Sequence, residues 1–370
     1  MVSATRAAGA RWHSGGRLPV PRPVDAVARY DRASSAPDVL RFLAAALAAS
    51  GRGVLVTLVG MEGSSSRSIG TIMAVAGDGT YAGSFSGGCI EAAVVAEALE
   101  ALADGGLRRV RFGQGSPYID IRLPCGGSLD LMFNPLSNGL AVDEALRTLT
   151  ARQEVALAQW RDRPEAECVP AEDDLPTRWR GDRFILRVAP PLRVLVAGSG
   201  AECVELARLA IAYGAEVNLW SPDVLLLQSG AELGASVRLL KTAGSVERPA
   251  SDPWTAIVLF FHDHDWDPPL LAHALAVPAL LVGAMGSHAT HQRRLSALRS
   301  IGVPEETCAR IVSPLGLILS ARDPALLALS TLAQIADAYA RITPQTCAPL
   351  DADRASPAET VQPSPRRTAR

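Results

Sequence analysis

Two cysteines of this chain sit against paired glycines. Cys89 follows Ser86-Gly87-Gly88 and leads through Ile90 and Glu91 into an alanine-rich segment, while Cys125 precedes Gly126-Gly127 and an apolar run. At the start of a helix the unpaired backbone N–H groups favour negative charge, which draws a thiol toward its thiolate. Glycines let such N–H groups face an anion with no Cβ in the way. Two turns of this kind in one domain could bracket an anionic, sulfur-bearing ligand. The plain alternative is a pair of small cysteines filling tight turns. No CxxC or HxxxH accompanies them, so their spacing does not describe a metal site. Glu91 stands where a helix begins, able either to accept backbone N–H bonds as a cap or to orient the thiol. Arg67, in the polar turn Gly63-Ser64-Ser65-Ser66-Arg67, is a candidate anion contact.

A second group lies beyond residue 190. Gly198-Ser199-Gly200-Ala201-Glu202-Cys203 follows an apolar run and opens a helical pattern, the context a dinucleotide fingerprint requires. Gly198 permits the tight turn, Gly200 lets backbone approach a phosphate, and Cys203 takes the third glycine position. The acid that would hold a ribose is out of place: the next strand ends at Trp220-Ser221-Pro222 and Asp223 comes late. This loop alone suggests an NAD(P)-dependent oxidoreductase; a Rossmann-like domain whose loop holds something else is the alternative. His262-Asp263-His264-Asp265 follows another apolar run, so His262 and His264 fall at a strand's carboxyl edge, where ligands bind in such sheets. Alternating His and Asp could hold a metal or a proton, or form a solvated loop. Gly286 and Ser287, ahead of a helical segment carrying Arg293 and Arg294, form either an anion cradle or an ordinary turn beside a basic helix face.

The elements that must position these residues divide near residue 190. The first part reads as a mixed α/β domain, with helices over 37–50, about 91–103 and 142–150 and strands over 54–59, 72–76, 109–112, 128–133, 155–160 and 184–188. The second alternates strand and helix from 194 to 340, which argues a Rossmann-like, doubly wound parallel sheet. The expected organisation is a disordered tail over 1–35, a cysteine-motif domain over 36–190, a Rossmann-like domain over 191–342, and a second disordered tail over 343–370. Both tails are rich in Arg and Pro and lack an apolar period. Lys241 is the single lysine among 36 basic residues, a bias that reads as genome composition.

Composition narrows the function. Apolar residues make up 48% and charged residues 20%, with a net charge of −2, so no cationic excess exists to neutralise a nucleic acid. The longest apolar stretch, 270–283, is interrupted by His273 and Pro278 and is too short to span a bilayer. Six irregularly spaced cysteines are too few for a disulfide scaffold and point to a reducing, cytoplasmic setting.

Taken together these blocks resemble the XdhC/CoxI family, the accessory proteins that mature the molybdenum cofactor of xanthine dehydrogenase and related hydroxylases. The resemblance runs from about residue 38 to 341. It rests on 63–67 through 83–91, Leu123-Pro124-Cys125-Gly126-Gly127, the Gly198 loop, His262-Asp263-His264 with Asp267, 283–287, and Ser313-Pro314-Leu315-Gly316-Leu317, in the family's order. The chain departs from the pattern at Ser66, often proline in the family, and at Ile72, often basic. The resemblance implies a chaperone or insertion factor rather than a turnover enzyme. Such a protein binds molybdenum cofactor, as molybdopterin or a nucleotide form, supports its sulfuration and delivers it to an apo molybdenum hydroxylase. It implies a cysteine desulfurase as a second partner, self-association into a homo-oligomer, and catalytic roles for Cys89, Glu91 and Cys125. Cofactor contacts are implied at Ser64, Arg67, Ser86, Gly87, Gly88, Gly126, Gly127, Gly198, Gly200, His262, His264, Gly286 and Ser287. A scaffold that only bridges desulfurase and hydroxylase is the non-catalytic alternative.

Overall fold

The computed structural model describes residues 35–63, 65, 67–116, 126–171, 176–243, 246–263, 265–318 and 321–343. Apart from Ser35 and Thr343, the two expected tails lie outside the described residues, as do Ser64, Ser66, Cys125 and His264.

The chain opens with α1 (Ala36–Ser50), capped by the Ser35 hydroxyl on the Asp38 N–H and ended by Gly51 at φ 67°. Five strands then form an antiparallel sheet: β1 (Gly53–Glu62), β2 (Ile72–Ala76), β3 (Tyr81–Ala82), β4 (Arg108–Gly113) and β5 (Ser128–Leu136), in the order β3-β2-β1-β5-β4. Side-chain alternation assigns its two faces. Val54, Val56 and Leu58 pack with Leu131 and Phe133 under α2 (Glu91–Asp104). Leu55 and Val59 face the other way, toward α1, α3 (Leu140–Thr150) and a second sheet. That sheet comprises β6 (Val155–Trp160), β7 (Ala166–Pro170), β8 (Arg178–Arg180) and β9 (Arg183–Val188), in the order β7-β6-β9-β8. A buried polar contact joins the sheets, with the Gln159 amide donating to the Thr57 hydroxyl at 3.0 Å. Ile72 is only 4% exposed and lies within this core.

The second part is a six-stranded parallel sheet of β10 (Arg193–Gly198), β11 (Glu216–Ser221), β12 (Ser236–Leu239), β13 (Thr255–Phe260), β14 (Leu281–Ala284) and β15 (Ile311–Val312). Its order, β12-β11-β10-β13-β14-β15, is that of a dinucleotide-binding fold, with the topological switch between β10 and β13. Helices α4 (Ala201–Tyr213), α5 (Val224–Glu232) and α9 (Pro324–Ile342) cover one face, while α6 (Asp267–Leu275), α7 (His288–Ser300) and α8 (Glu305–Cys308) cover the other. Covered on both sides, β13 is buried at all six positions. The amino edge of this sheet meets the first domain. There Arg152 binds Asp252 through two N–H bonds of 2.8 and 3.1 Å, and Tyr339 donates to the Pro190 carbonyl at 2.8 Å.

Candidate functional site

Antiparallel pairing brings five strand ends to one edge of the first sheet: the last residues of β1, β3 and β4 and the first residues of β2 and β5. The Arg67 loop, the Cys89 loop and Gly126-Gly127 therefore emerge side by side. They approach closely, since a Cβ on Gly63 would stand 3.1 Å from the Gly127 Cα and one on Gly83 would stand 2.6 Å from the Ile72 carbonyl. The thiol of Cys89 is exposed here.

Glu91 organises this edge. Its side chain is 2% exposed and receives six hydrogen bonds. Oε1 accepts from the Ser84 hydroxyl at 2.7 Å, the Phe85 N–H at 3.0 Å and the Ser86 N–H at 2.8 Å. Oε2 accepts from the Ser86 hydroxyl at 2.8 Å, the Gly88 N–H at 2.7 Å and the Ile90 N–H at 3.2 Å. Burial by itself pushes the carboxyl pKa up, but the donors from Ser84 and Ser86 outweigh it and hold the group at about 2. The Gly87 N–H is taken by the Ser84 hydroxyl at 3.0 Å. Gly87 and Gly88, at φ 74° and 126°, thus give the loop its left-handed turns. Expected to face a ligand anion, the Gly88 N–H instead faces the Glu91 carboxylate and the Gly87 N–H the Ser84 hydroxyl. Ser84 has a larger part in the loop than its sequence position suggested; its only signal was membership of the Ser-Phe-Ser-Gly-Gly run.

A carboxylate of the chain also lies against the second loop. Gly198 is required by packing, because a Cβ there would meet the Phe260 carbonyl at 2.5 Å and the Cys203 sulfur at 2.7 Å. Gly200, at φ 127°, would direct a Cβ to within 2.8 Å of both carboxylate oxygens of Glu202. Glu202 is 6% exposed, and His262 Nε2 lies 2.9 Å from its Oε1. Facing a carboxylate, that nitrogen donates. The space a second fingerprint glycine keeps open for pyrophosphate is therefore filled by a negative charge. Asp223 is engaged as well, capping α5 through the Leu225 and Leu226 N–H groups. In this arrangement the Glu202 carboxylate and the engaged Asp223 both count against NAD(P) at the switch point.

The remaining expected groups separate. Asp263 accepts the Asp265 N–H within its own turn, at 3.1 Å, and Asp267 pairs with Arg294 at 2.8 Å, both side chains being 2% exposed. Arg294 also donates to the Met285 carbonyl at 2.8 Å. It is a buried support for the Gly286 turn rather than part of a basic surface. The Ser287 hydroxyl caps α7 on the Thr290 N–H at 3.2 Å. Among the described residues no three His, Cys, Asp or Glu side chains gather to hold a metal ion, and no helix is long and apolar enough to cross a membrane.

The two glycine loops lie on different sheets. Gly198, His262 and Ser287 occupy the carboxyl edge of the parallel sheet, opposite the edge that meets the first domain at Asp252. At about 3.3 Å per residue, β10 alone sets them roughly 17 Å from that contact.

Of the other thiols, burial pushes the Cys203 pKa far up, reinforced by the Glu202 charge. Burial also raises Cys168 to about 11, with the Glu144 charge adding to it.

Residues 194–335 match the family described as the XdhC Rossmann domain, and residues 46–113 match the XdhC and CoxI family. Over 314 residues the chain is 34% identical to the molybdenum cofactor insertion chaperone PaoD of Escherichia coli (strain K12), a match covering 84% of this chain and 91% of PaoD. A solved chain described as a xanthine dehydrogenase from Bacillus halodurans shares the fold at a TM-score of 0.66 and 19% identity, covering 82% of this chain and 96% of that one.

Proposed function

The chain belongs to the XdhC and CoxI family, and from that premise we propose that it binds molybdenum cofactor as cargo and delivers it to an apo molybdenum hydroxylase. The observation that carries the reading is the exposed Cys89 thiol on a loop fixed by the buried Glu91 carboxylate. A soft sulfur ligand held on a preorganised loop suits reversible contact with molybdenum, and exposure lets the cargo be handed on. Cys89 would meet the metal end, Arg67 would supply positive charge beside it, and Gly126 and Gly127 would line the same edge. Glu91 holds the loop and is itself screened from the ligand. The molybdenum centre, when bound, supplies the redox and oxygen-transfer chemistry that the receiving hydroxylase uses.

The finer parts of this reading are support for sulfuration, with sulfur delivered by a cysteine desulfurase, action as a homo-oligomer, and work in the cytoplasm. Free thiols on a cofactor carrier are consistent with a reducing compartment.

The test is anaerobic purification from a molybdenum-supplied host, followed by metal and pterin analysis and activation of the apo-hydroxylase. Wild type should carry or take up the cofactor, and Cys89→Ala should lose most of both activities while folding normally. Unchanged binding and activation in Cys89→Ala would remove the thiol from the mechanism. Wild type that neither carries nor binds cofactor would favour the bridging scaffold.

A further inference from the structure

The Gly87-Gly88 and Gly198-Gly200 loops each lie against a carboxylate of the chain, Glu91 in one and Glu202 in the other, so neither is open to a phosphate, whose counter-charge must come from side chains. Trp179 in β8 marks such a place. Its indole Nε1 donates to the Val59 carbonyl at 3.2 Å, where β1 bulges against β5 between Leu58 and Gly60. Phe184 packs edge-on against the ring at 5.4 Å between centroids. Two guanidinium groups lie over this fixed indole, Arg161 at 4.3 Å from the ring centre and Arg109 at 5.6 Å. They reach it from separate places, Arg109 from edge strand β4 and Arg161 from the turn after β6. Both are exposed, and among the described residues neither has a carboxylate within ion-pair distance. The neighbouring Arg111, by contrast, is bound twice by Asp130, at 2.7 and 2.9 Å, and again by Glu62 at 3.2 Å. Partial burial of the Arg109 stem, and then the charge of Arg161, lowers the Arg109 pKa, and the charge of Asp130 offsets this only in part.

Two planar forks with ten N–H donors between them and no acceptor match an acceptor that carries two negative charges and several oxygens. Trp179 holds both arginines in place, which reduces the ordering a ligand would have to impose. We propose that Arg109 and Arg161, seated on Trp179, form a phosphate socket. Granted the cofactor reading above, it takes the phosphate or diphosphate group of the pterin cargo.

The experiment titrates the full chain with inorganic pyrophosphate by calorimetry at two salt concentrations. Wild type should bind, more weakly at high salt. Arg109→Gln/Arg161→Gln should lose at least about tenfold in affinity and most of the salt dependence, as expected when charge-assisted bonds are removed. Arg161→Lys, which keeps a cation, should lose less, and Arg341→Gln on α9 should bind as wild type. Absence of pyrophosphate binding by wild type, or equal binding by a folded double variant, overturns the socket. The cofactor arm separates the two readings. Equal cofactor uptake by wild type and the double variant removes the socket from cargo binding and leaves the proposed function standing. Socket-dependent pyrophosphate binding without cofactor uptake by wild type removes the proposed function and leaves a site for free phosphate.

Discussion

Gly88 donates its backbone N–H to the carboxylate of Glu91 at 2.7 Å, one residue ahead of the exposed Cys89 thiol. The bond inverts the usual meaning of a glycine turn at a helix start, because the turn is filled from within. It also ties the position of the thiol to the charge of a buried acid.

Glu91→Gln should therefore destabilise the fold and unsettle the Cys89 loop together. An amide keeps one acceptor oxygen but turns an NH₂ toward N–H donors, leaving buried partners unmatched. The expected loss near neutral pH is about 3 kcal/mol, the equivalent of a carboxyl moved from 4.5 to about 2. The folded carboxyl is the stronger acid, so this stabilisation is complete above the ordinary value of 4.5 and disappears as pH falls toward about 2. Urea unfolding of both proteins at several pH values checks this. A difference that stays constant from neutral pH to about pH 3 would contradict it.

The cysteines should separate by reactivity. In the native protein iodoacetamide should label Cys89, which is exposed, well before Cys168, whose thiol burial has raised to about 11. Cys203 and Cys308 are buried and should react only on unfolding. Peptide mass mapping against time reads the order directly. Early labelling of Cys203 would mean that the Gly198 loop opens. Cys89→Ser should leave thermal stability within about 0.5 kcal/mol of wild type, as usual for an exposed side chain.

Much of this architecture was legible where one physical signal dominated. The run at β13 is apolar throughout because both faces are covered, and the Gly198 loop falls between a strand and a helix as its spacing implied. Strands β7 and β8 were not legible: they are short, half-exposed and interrupted by charge, so neither shows a period. Helix α5 was obscured by apolar residues on its outer side, with Leu225 73% exposed. At the site, residue types identified the Cys89 turn, but the direction of its N–H groups depended on where the Glu91 side chain went. The meeting of Arg109 and Arg161 on Trp179 comes from packing one sheet on another and leaves no local trace.

The domain contact offers a third prediction. Arg152 and Asp252 are 11% and 13% exposed, and Arg152 holds an unusual φ of 60°. Burial raises the Asp252 pKa, and the bonds and charge of Arg152 more than reverse this. That stabilisation is present above the ordinary carboxylate range and declines as pH falls. Arg152→Ala should cost about 1–3 kcal/mol, less than for a fully buried pair, and should loosen the domains. Calorimetry should then show two transitions, with faster proteolysis near Pro190 and Pro191. One transition at the wild-type midpoint would show that the pair does not couple the domains.

The last prediction concerns the carboxylate over Gly200. Two unit charges about 4 Å apart interact by about 4 kcal/mol at an effective dielectric constant near 20, a factor of nearly a thousand in affinity. With the Glu202 charge over its loop, wild type should show no saturable binding of NADH or ADP-ribose at millimolar concentration. Glu202→Gln keeps the shape, retains an acceptor for His262 and removes the charge, leaving the amino end of α4 beside a neutral side chain. It should gain measurable ADP-ribose binding, while Asp223→Asn, which alters only the cap of α5, should gain none. Tight NADH binding by wild type would show that Glu202 moves aside. A Glu202→Gln protein that folds normally and still ignores ADP-ribose would place the barrier in the loop backbone or at Cys203, whose sulfur would stand 2.7 Å from a Cβ on Gly198.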